Sequence, residues 1–323
     1  MSKQALGIHH VTAIASDPQR NLDFYSGLLG LRFVKRTVNF DDPSTYHFYF
    51  GDEQGTPGTI LTFFPWPGAR RGRVGIGQVG ATAFAVPLGS LAAWRERLNS
   101  HDVRTIDGGI RFGEEVLGFE DPDGLPLELI ATDWASDGPA WEQGPVSGAM
   151  AIRGFHSVTL WQRNESPTAE VLAGPLAFTP GGSEGSRHRY TAAAPGIGGI
   201  VDILVSPDGV PGLSGAGTVH HVAWRASDDA SQLDLRQRVH GAGLHPTPVI
   251  DRHYFHSVYF REPGGVLFEI ATDNPGFAID EPLDHLGERL MLPHQYEEDR
   301  AALEAILPKL VLPGATGKVG VSA

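Results

Sequence analysis

One strand motif is written twice in this chain. GIHHVTAIASD runs from Gly7 to Asp17 and TVHHVAWRASD from Thr218 to Asp228. Each has a His doublet, a following Val, and an Asp seven residues beyond the second His. Duplication restricts the fold to copies of one unit, because each copy must bury its apolar face against another. Two further stretches repeat the outline: an alternating opening strand, a helix, then strands closing on an apolar run after a Pro/Gly turn. The four units cover 7–64, 79–133, 154–207 and 218–273. Helices are predicted over 17–29, 88–99, 167–176 and 229–241, with Asp17 as N-cap and Pro18 as first helical residue of the first. Each unit therefore reads βαβββ, and the fold class is α+β. The stretch Trp134–Met150, rich in Gly, Pro and Ser, reads as a linker. It separates a first domain (1–140) from a second (151–280), and a tail (281–323) carries a short helix over 299–307 that stops at Pro308.

Composition removes several functions. The chain has no Cys, so disulfides, zinc–thiolate sites, iron–sulfur clusters and thiol nucleophiles are excluded, and any metal must sit on His and carboxylate. A formal net charge of −13 argues against a nucleic-acid partner. No apolar run reaches the roughly 20 residues of a membrane span, and MSKQALG lacks the features of a signal peptide, so a cytoplasmic location is expected. A homodimer is the base-rate expectation for assembly.

Strand phase then sorts the His residues, since a one-residue offset sends a side chain to the other face. Aligning Val11-Thr12, Val222-Ala223 and Val158-Thr159 puts His10 opposite His221. His156 falls opposite His9, out of phase, and Ser157 falls opposite His10. In the second unit Gly80 is set opposite His10. The closing runs EPGGVLFEIATD and DPDGLPLELIATD each place an acid, Glu269 and Glu128, six residues after a Pro. An acid in such an apolar run is expected to be paired or metal-bound. The first unit closes on PGTILTFF, with Thr62 or Phe63 at that place, and the third on GGIVDILV, where the alignment of Asp202 stays open. Units one and four alone supply a complete set, His10, His221 and Glu269. Two His and one carboxylate leave cis positions free, the arrangement of non-haem Fe(II) oxygenases.

These residues resemble the vicinal oxygen chelate superfamily of glyoxalases, bleomycin-resistance proteins and type I extradiol dioxygenases. Within it, the hydroquinone ring-cleaving dioxygenases are most similar, through VNFDDPSTYHFYFGD, VIDRHYFHSVYFREPGGVLFEIATD and LPHQYE as well as the His doublets. The resemblance implies two pseudo-symmetric domains with open, cup-like antiparallel or mixed sheets. It implies iron on His10, His221 and Glu269, with His9, Thr12, His220, Arg252 and Tyr259 around it. Independently, a hairpin at Pro263-Gly264-Gly265 sets Tyr259 across from Glu269 on one face. Arg252 reads equally as an anion-orienting group or a surface ion pair. Phe48, Tyr49, Trp224 and Phe255 are the aromatic candidates for a pocket wall or for core.

The expected function is an Fe(II)-dependent ring-cleaving dioxygenase of extradiol type, inserting both atoms of O2 into a hydroquinone-type ring, with His220 or Tyr259 as acid. Its partners are a small aromatic substrate and O2, and Mn, Zn or Ni could replace iron in a purified sample. The alternatives are an extradiol catechol dioxygenase, a glyoxalase-type lyase or isomerase, and a non-catalytic quinone- or drug-binding protein. Thr62 and Phe63, standing where a glyoxalase carries a further Glu, count against the lyase.

Overall fold

The computed structural model describes residues 4–136, 138, 140–146, 148–193 and 196–312; the rest of the tail lies outside them. All four units appear. The first is β1 (Ile8–Ala15), α1 (Pro18–Leu22), β2 (Arg32–Asn39), β3 (Asp42–Gly51) and β4 (Ile60–Pro65). The second is β5 (Gln78–Pro87), α2 (Leu91–Ser100), β6 (Thr105–Arg111), β7 (Glu114–Glu120) and β8 (Pro126–Thr132). The third is β9 (Phe155–Gln162), α3 (Ser166–Ala173), β10 (Thr179–Glu184), β11 (Arg187–Thr191) and β12 (Ile200–Val205). The fourth is β13 (Thr218–Ala226), α4 (Asp229–Gly241), β14 (Ile250–Asp251), β15 (Phe255–Arg261) and β16 (Leu267–Pro275). The tail adds α5 (Arg300–Ile306). Asp17 and Asp228, the shared acids of the duplicated motif, cap α1 and α4 by accepting from the amides of Arg20 and Ser231. The first helix differs from expectation beyond its first turns, because Asp23–Leu28 widens into a π-helix.

Two eight-stranded, curled sheets result, and they do not follow the two halves of the chain. Units four and one form the first, in the order β14-β15-β16-β13-β1-β4-β3-β2. Units three and two form the second, β10-β11-β12-β9-β5-β8-β7-β6. Opening strands meet antiparallel at the middle of each sheet, β1 with β13 and β5 with β9, and each runs parallel to the closing strand of its own unit. Both sheets are therefore mixed open half-barrels. Their backs bury Val11, Phe63, Val222 and Phe268 in one and Phe84, Leu129, Val158 and Ile203 in the other. Among the described residues no helix is long and apolar enough to cross a membrane.

The strand registers correct one alignment. Ala83 pairs with Glu128 as Ala223 pairs with Glu269, so Ala81 stands opposite His10 and His221 and Gly80 one step earlier. Gly, Ala and Thr offer no landmark by which the sequence could set that phase. The register also resolves Asp202, which pairs with Thr159 as Thr62 pairs with Thr12.

Candidate metal centre

Both His doublets are β-bulges. Along the β1–β13 seam the pairing steps from Ile8↔Trp224 to His10↔Ala223, leaving His9 unopposed. It then steps from Thr12↔His221 to Ala13↔Val219, leaving His220 unopposed. A bulge bends its strand and re-aims the extra side chain. A regular strand would carry His9 and His220 away from their neighbours. Here each instead turns its ring edge-on to the next imidazole, with Nδ1–Nδ1 distances of 2.9 Å for His9–His10 and 2.8 Å for His220–His221.

The opposite ring nitrogens converge. Nε2 of His10 lies 3.2 Å from Nε2 of His221, and Oε2 of Glu269 lies 3.2 Å from the first and 2.9 Å from the second. An ion about 2.1 Å from three cis donors sets them about 3.0 Å apart on an octahedral face and about 3.4 Å apart in a tetrahedron. The three sides, 2.9–3.2 Å, lie close to the span these two geometries require. Oε2 of Glu269 is buried and makes no hydrogen bond of acceptable geometry, while Oε1 accepts from Ser257 Oγ at 2.5 Å. An orphaned, fully buried carboxylate oxygen aimed at two imidazole nitrogens fits a divalent cation. Burial pushes the Glu269 carboxyl up, but His10 and His221 outweigh it and hold it well below the usual range.

Hydrogen bonds fix one tautomer outright. His9 Nε2 donates to the Thr272 carbonyl at 3.1 Å, and burial beside His10 drives its pKa well below 6.5. Neutral His9 therefore accepts at Nδ1, His10 Nδ1–H donates to it, and the lone pair of His10 Nε2 faces the triangle.

A cavity of about 300 Å³ opens over the triangle. His10, Asn39, Phe40, Asp41, His47, Tyr49, Phe64, Trp66, His220, His221, Arg252, Phe255, Tyr259 and Leu267 line it. Tyr259 pairs directly with Glu269 across the β15–β16 hairpin, as the turn predicts. Its phenol is pushed up by burial and by Glu269, so it stays protonated. Arg252 lines the cavity and makes a bidentate ion pair with Asp41, at 3.1 and 2.9 Å. Burial and His221 push the His220 imidazole down to about 4. Thr12 does not line the cavity; it reaches the site through Thr62, Oγ1 to Oγ1 at 2.7 Å. Phe48 and Trp224 are core, each 0% exposed. A larger cleft of about 640 Å³, between Phe24, His101 and Asp121, lies away from the His/Glu cluster.

Sequence reading missed His47, which shares hydrogen bonds with Thr62 Oγ1 and with the Tyr49 hydroxyl, both at 2.9 Å. The available signal was its position two residues before Tyr49, the same step that separates Ser257 from Tyr259.

The second sheet shows what the same register becomes without imidazoles. Glu128 and Asp202 take the places of Glu269 and Thr62, but Ala81 and Ser157 replace the ligand-phase His. Arginines fill the space instead. Arg111 binds Glu128 at 2.7 and 2.9 Å, and Arg189 binds Asp202 at 2.9 and 3.1 Å. His156 turns to Ser157 and Glu114. Among the described residues, the only group of three His or acids spaced to hold one ion is His10, His221 and Glu269.

Residues 7–129 and 160–270 match the glyoxalase/bleomycin resistance protein/dioxygenase superfamily. The chain belongs to that superfamily. It is 50% identical over 311 residues to MhqO of Bacillus subtilis (strain 168), whose name describes it provisionally as a ring-cleaving dioxygenase; the match covers 95% of this chain and 98% of that one. It is 36% identical to the chlorohydroquinone/hydroquinone 1,2-dioxygenase of Sphingobium indicum, over 90% of this chain and 92% of the other. A crystal structure from B. subtilis strain 168, described provisionally as a dioxygenase, superposes with a TM-score of 0.92 at 48% identity, covering 96% of this chain and 99% of that one.

Proposed function

We propose that this protein is an Fe(II)-dependent dioxygenase that opens a hydroquinone-type ring beside a hydroxylated carbon, with both atoms of O2 entering the product. The observation that carries the proposal is the His10–His221–Glu269 triangle at the floor of a cavity sized for one substituted ring. Bound there, iron supplies a Lewis acid that favours the phenolate form of a ring oxygen and a redox centre for O2.

The chain's own residues do the rest. Phe64, Trp66, Phe255 and Leu267 give the ring an apolar slot and keep bulk water out. With His221 Nε2 committed to the triangle, its Nδ1–H donates to His220 Nδ1. His220 is thereby set as the Nε2–H tautomer and presents a proton to an oxygen in the cavity. Tyr259 adds a neutral hydroxyl beside Glu269. Arg252, held by Asp41 over the Tyr259 ring at 5.5 Å, offers charge to the carboxylate that ring opening creates.

The names of the relatives support this reading over a lyase, and so does Thr62 at the register position of Glu269. The test is O2 uptake by anaerobically prepared, Fe(II)-loaded protein against a panel of hydroquinones and catechols. Uptake should be stoichiometric with ring loss and should disappear in H10A, H221A and E269A. Turnover without O2, or with all three substitutions in place, would reject the proposal. A preference for catechols would redirect it to the extradiol alternative.

A further inference from the structure

The metal centre has an internal pseudo-two-fold axis, and it is broken at two neighbouring pairs of positions, Thr62/Glu269 and His47/Ser257. His10 and His221 are equivalent along the β1–β13 seam. Thr62 is the counterpart of Glu269, since Thr12 pairs with Thr62 as Ala223 pairs with Glu269. Tyr49 is the counterpart of Tyr259, since Tyr49 pairs with Thr62 as Tyr259 pairs with Glu269. His47 and Ser257 each stand two residues before these tyrosines, on the same strand faces.

The contacts are equivalent too. In unit four the short Ser257 donates to the long Glu269 at 2.5 Å. In unit one the long His47 meets the short Thr62 at 2.9 Å. Reach has been exchanged between neighbouring strands: β16 sends the long side chain inward on one side, β3 on the other. The imidazole is fixed in that place by the Tyr49 hydroxyl at 2.9 Å and packs on Phe64 with ring centroids 4.5 Å apart. Thr62 cannot reach the triangle, and a longer side chain at 62 would meet His47.

From this we infer that His47 is the positioning residue that holds the centre at three protein ligands. With Thr62 it fills the quadrant that the symmetry reserves for a second carboxylate, and so leaves that side of the ion to an exogenous oxygen ligand. The inference rests on the metal reading above, and its test reads metal binding rather than turnover.

The measurement is Mn2+ affinity by calorimetric titration, with circular dichroism confirming the fold of each variant. H47S should bind within about threefold of wild type, and T62E alone no tighter than wild type, because His47 obstructs the new carboxylate. The pair H47S/T62E copies the Ser257/Glu269 arrangement and should bind at least tenfold tighter. S257H/E269T copies His47/Thr62 into unit four and should bind no Mn2+. The decisive variant is the transposed site, H47S/T62E/S257H/E269T, in which binding should return to within about tenfold of wild type. The inference is overturned if T62E alone tightens binding as much as H47S/T62E, or if the transposed site, folded, binds nothing. Should wild type itself show no Glu269-dependent Mn2+ binding, it is the metal reading that fails.

Discussion

His220 sits 2.8 Å, Nδ1 to Nδ1, from His221, and His9 makes the same contact with His10 at 2.9 Å. The far nitrogens differ. His9 Nε2 is tied to the Thr272 carbonyl inside the sheet, whereas His220 stands at the cavity wall. Both neighbours orient a ligand, so H9A and H220A should each weaken metal affinity by about 10–100-fold. Only H220A should also lose turnover per bound metal, by about 10²–10⁴-fold, the range of a missing acid–base group. Metal content by mass spectrometry, alongside kcat at saturating metal, separates the two effects. Equal kcat per metal in both variants would remove His220 from the chemistry.

Metal removal should destabilise the fold as well as silence it. Without an ion Glu269 keeps one oxygen buried and unpaired beside two imidazoles. Adding Mn2+ or Fe(II) to stripped protein at about 100 times Kd should contribute roughly 2.7 kcal/mol, raising Tm by several degrees. In E269A the metal-dependent shift in a thermal melt should vanish. A shift of equal size in E269A would place the ion elsewhere.

Much of this site could be read in the sequence because its signals are local to a strand. Phase separated His10 and His221 from His156, an acid in an apolar run marked Glu269, and a Pro-Gly-Gly turn set Tyr259 against it. What stayed hidden depends on pairing between strands distant in the chain. The bulges at His9 and His220 exist only in the β1–β13 seam, so nothing within either motif shows that the two imidazoles of a doublet turn toward each other. The meeting of unit one with unit four across a shared sheet was legible from ligand counting alone. His47 was missed because it sits in an aromatic strand (Tyr46-His47-Phe48-Tyr49) where a lone His reads as wall or core.

Asp121 should make stability fall as pH rises. Its carboxylate accepts from the amides of Asp123 and Leu125 and from the Tyr25 hydroxyl, yet burial still raises its pKa to about 6. Between the unfolded value near 4 and the folded value near 6 the native state binds more protons, so stability is lost through that window. The loss is on the order of 2–3 kcal/mol and is complete above pH 6. Asn can keep the amide contacts, with Tyr25 turning from donor to acceptor. D121N should therefore melt several degrees above wild type at pH 8, the gap closing as pH falls toward 5. Parallel melting curves from pH 8 to 5 would show that Asp121 is ionised throughout.

Lys35 is 0% exposed and bonded at 2.6 Å to both Asp280 and Glu281, joining β2 to the start of the tail. Asp280 also receives the Tyr254 hydroxyl at 2.9 Å and His253 Nε2 at 3.2 Å. The cluster thus anchors the turn that carries Arg252 and Phe255 to the cavity. Removing the cation alone leaves the buried Glu281 charge with only the amides of Gly287 and Arg289, so K35M should cost about 3–5 kcal/mol and lower Tm by on the order of 10 °C. It should also raise KM for the aromatic substrate, because Arg252 and Phe255 lose their backing while the triangle does not. Neutralising the partners as well, in K35M/D280N/E281Q, should recover most of the stability but little of the KM, since Asp280 no longer holds His253 and Tyr254 by charge. Thermal melts and steady-state kinetics on the two variants decide it. Recovery of KM in step with Tm would reduce the cluster to a stability element without influence on the site.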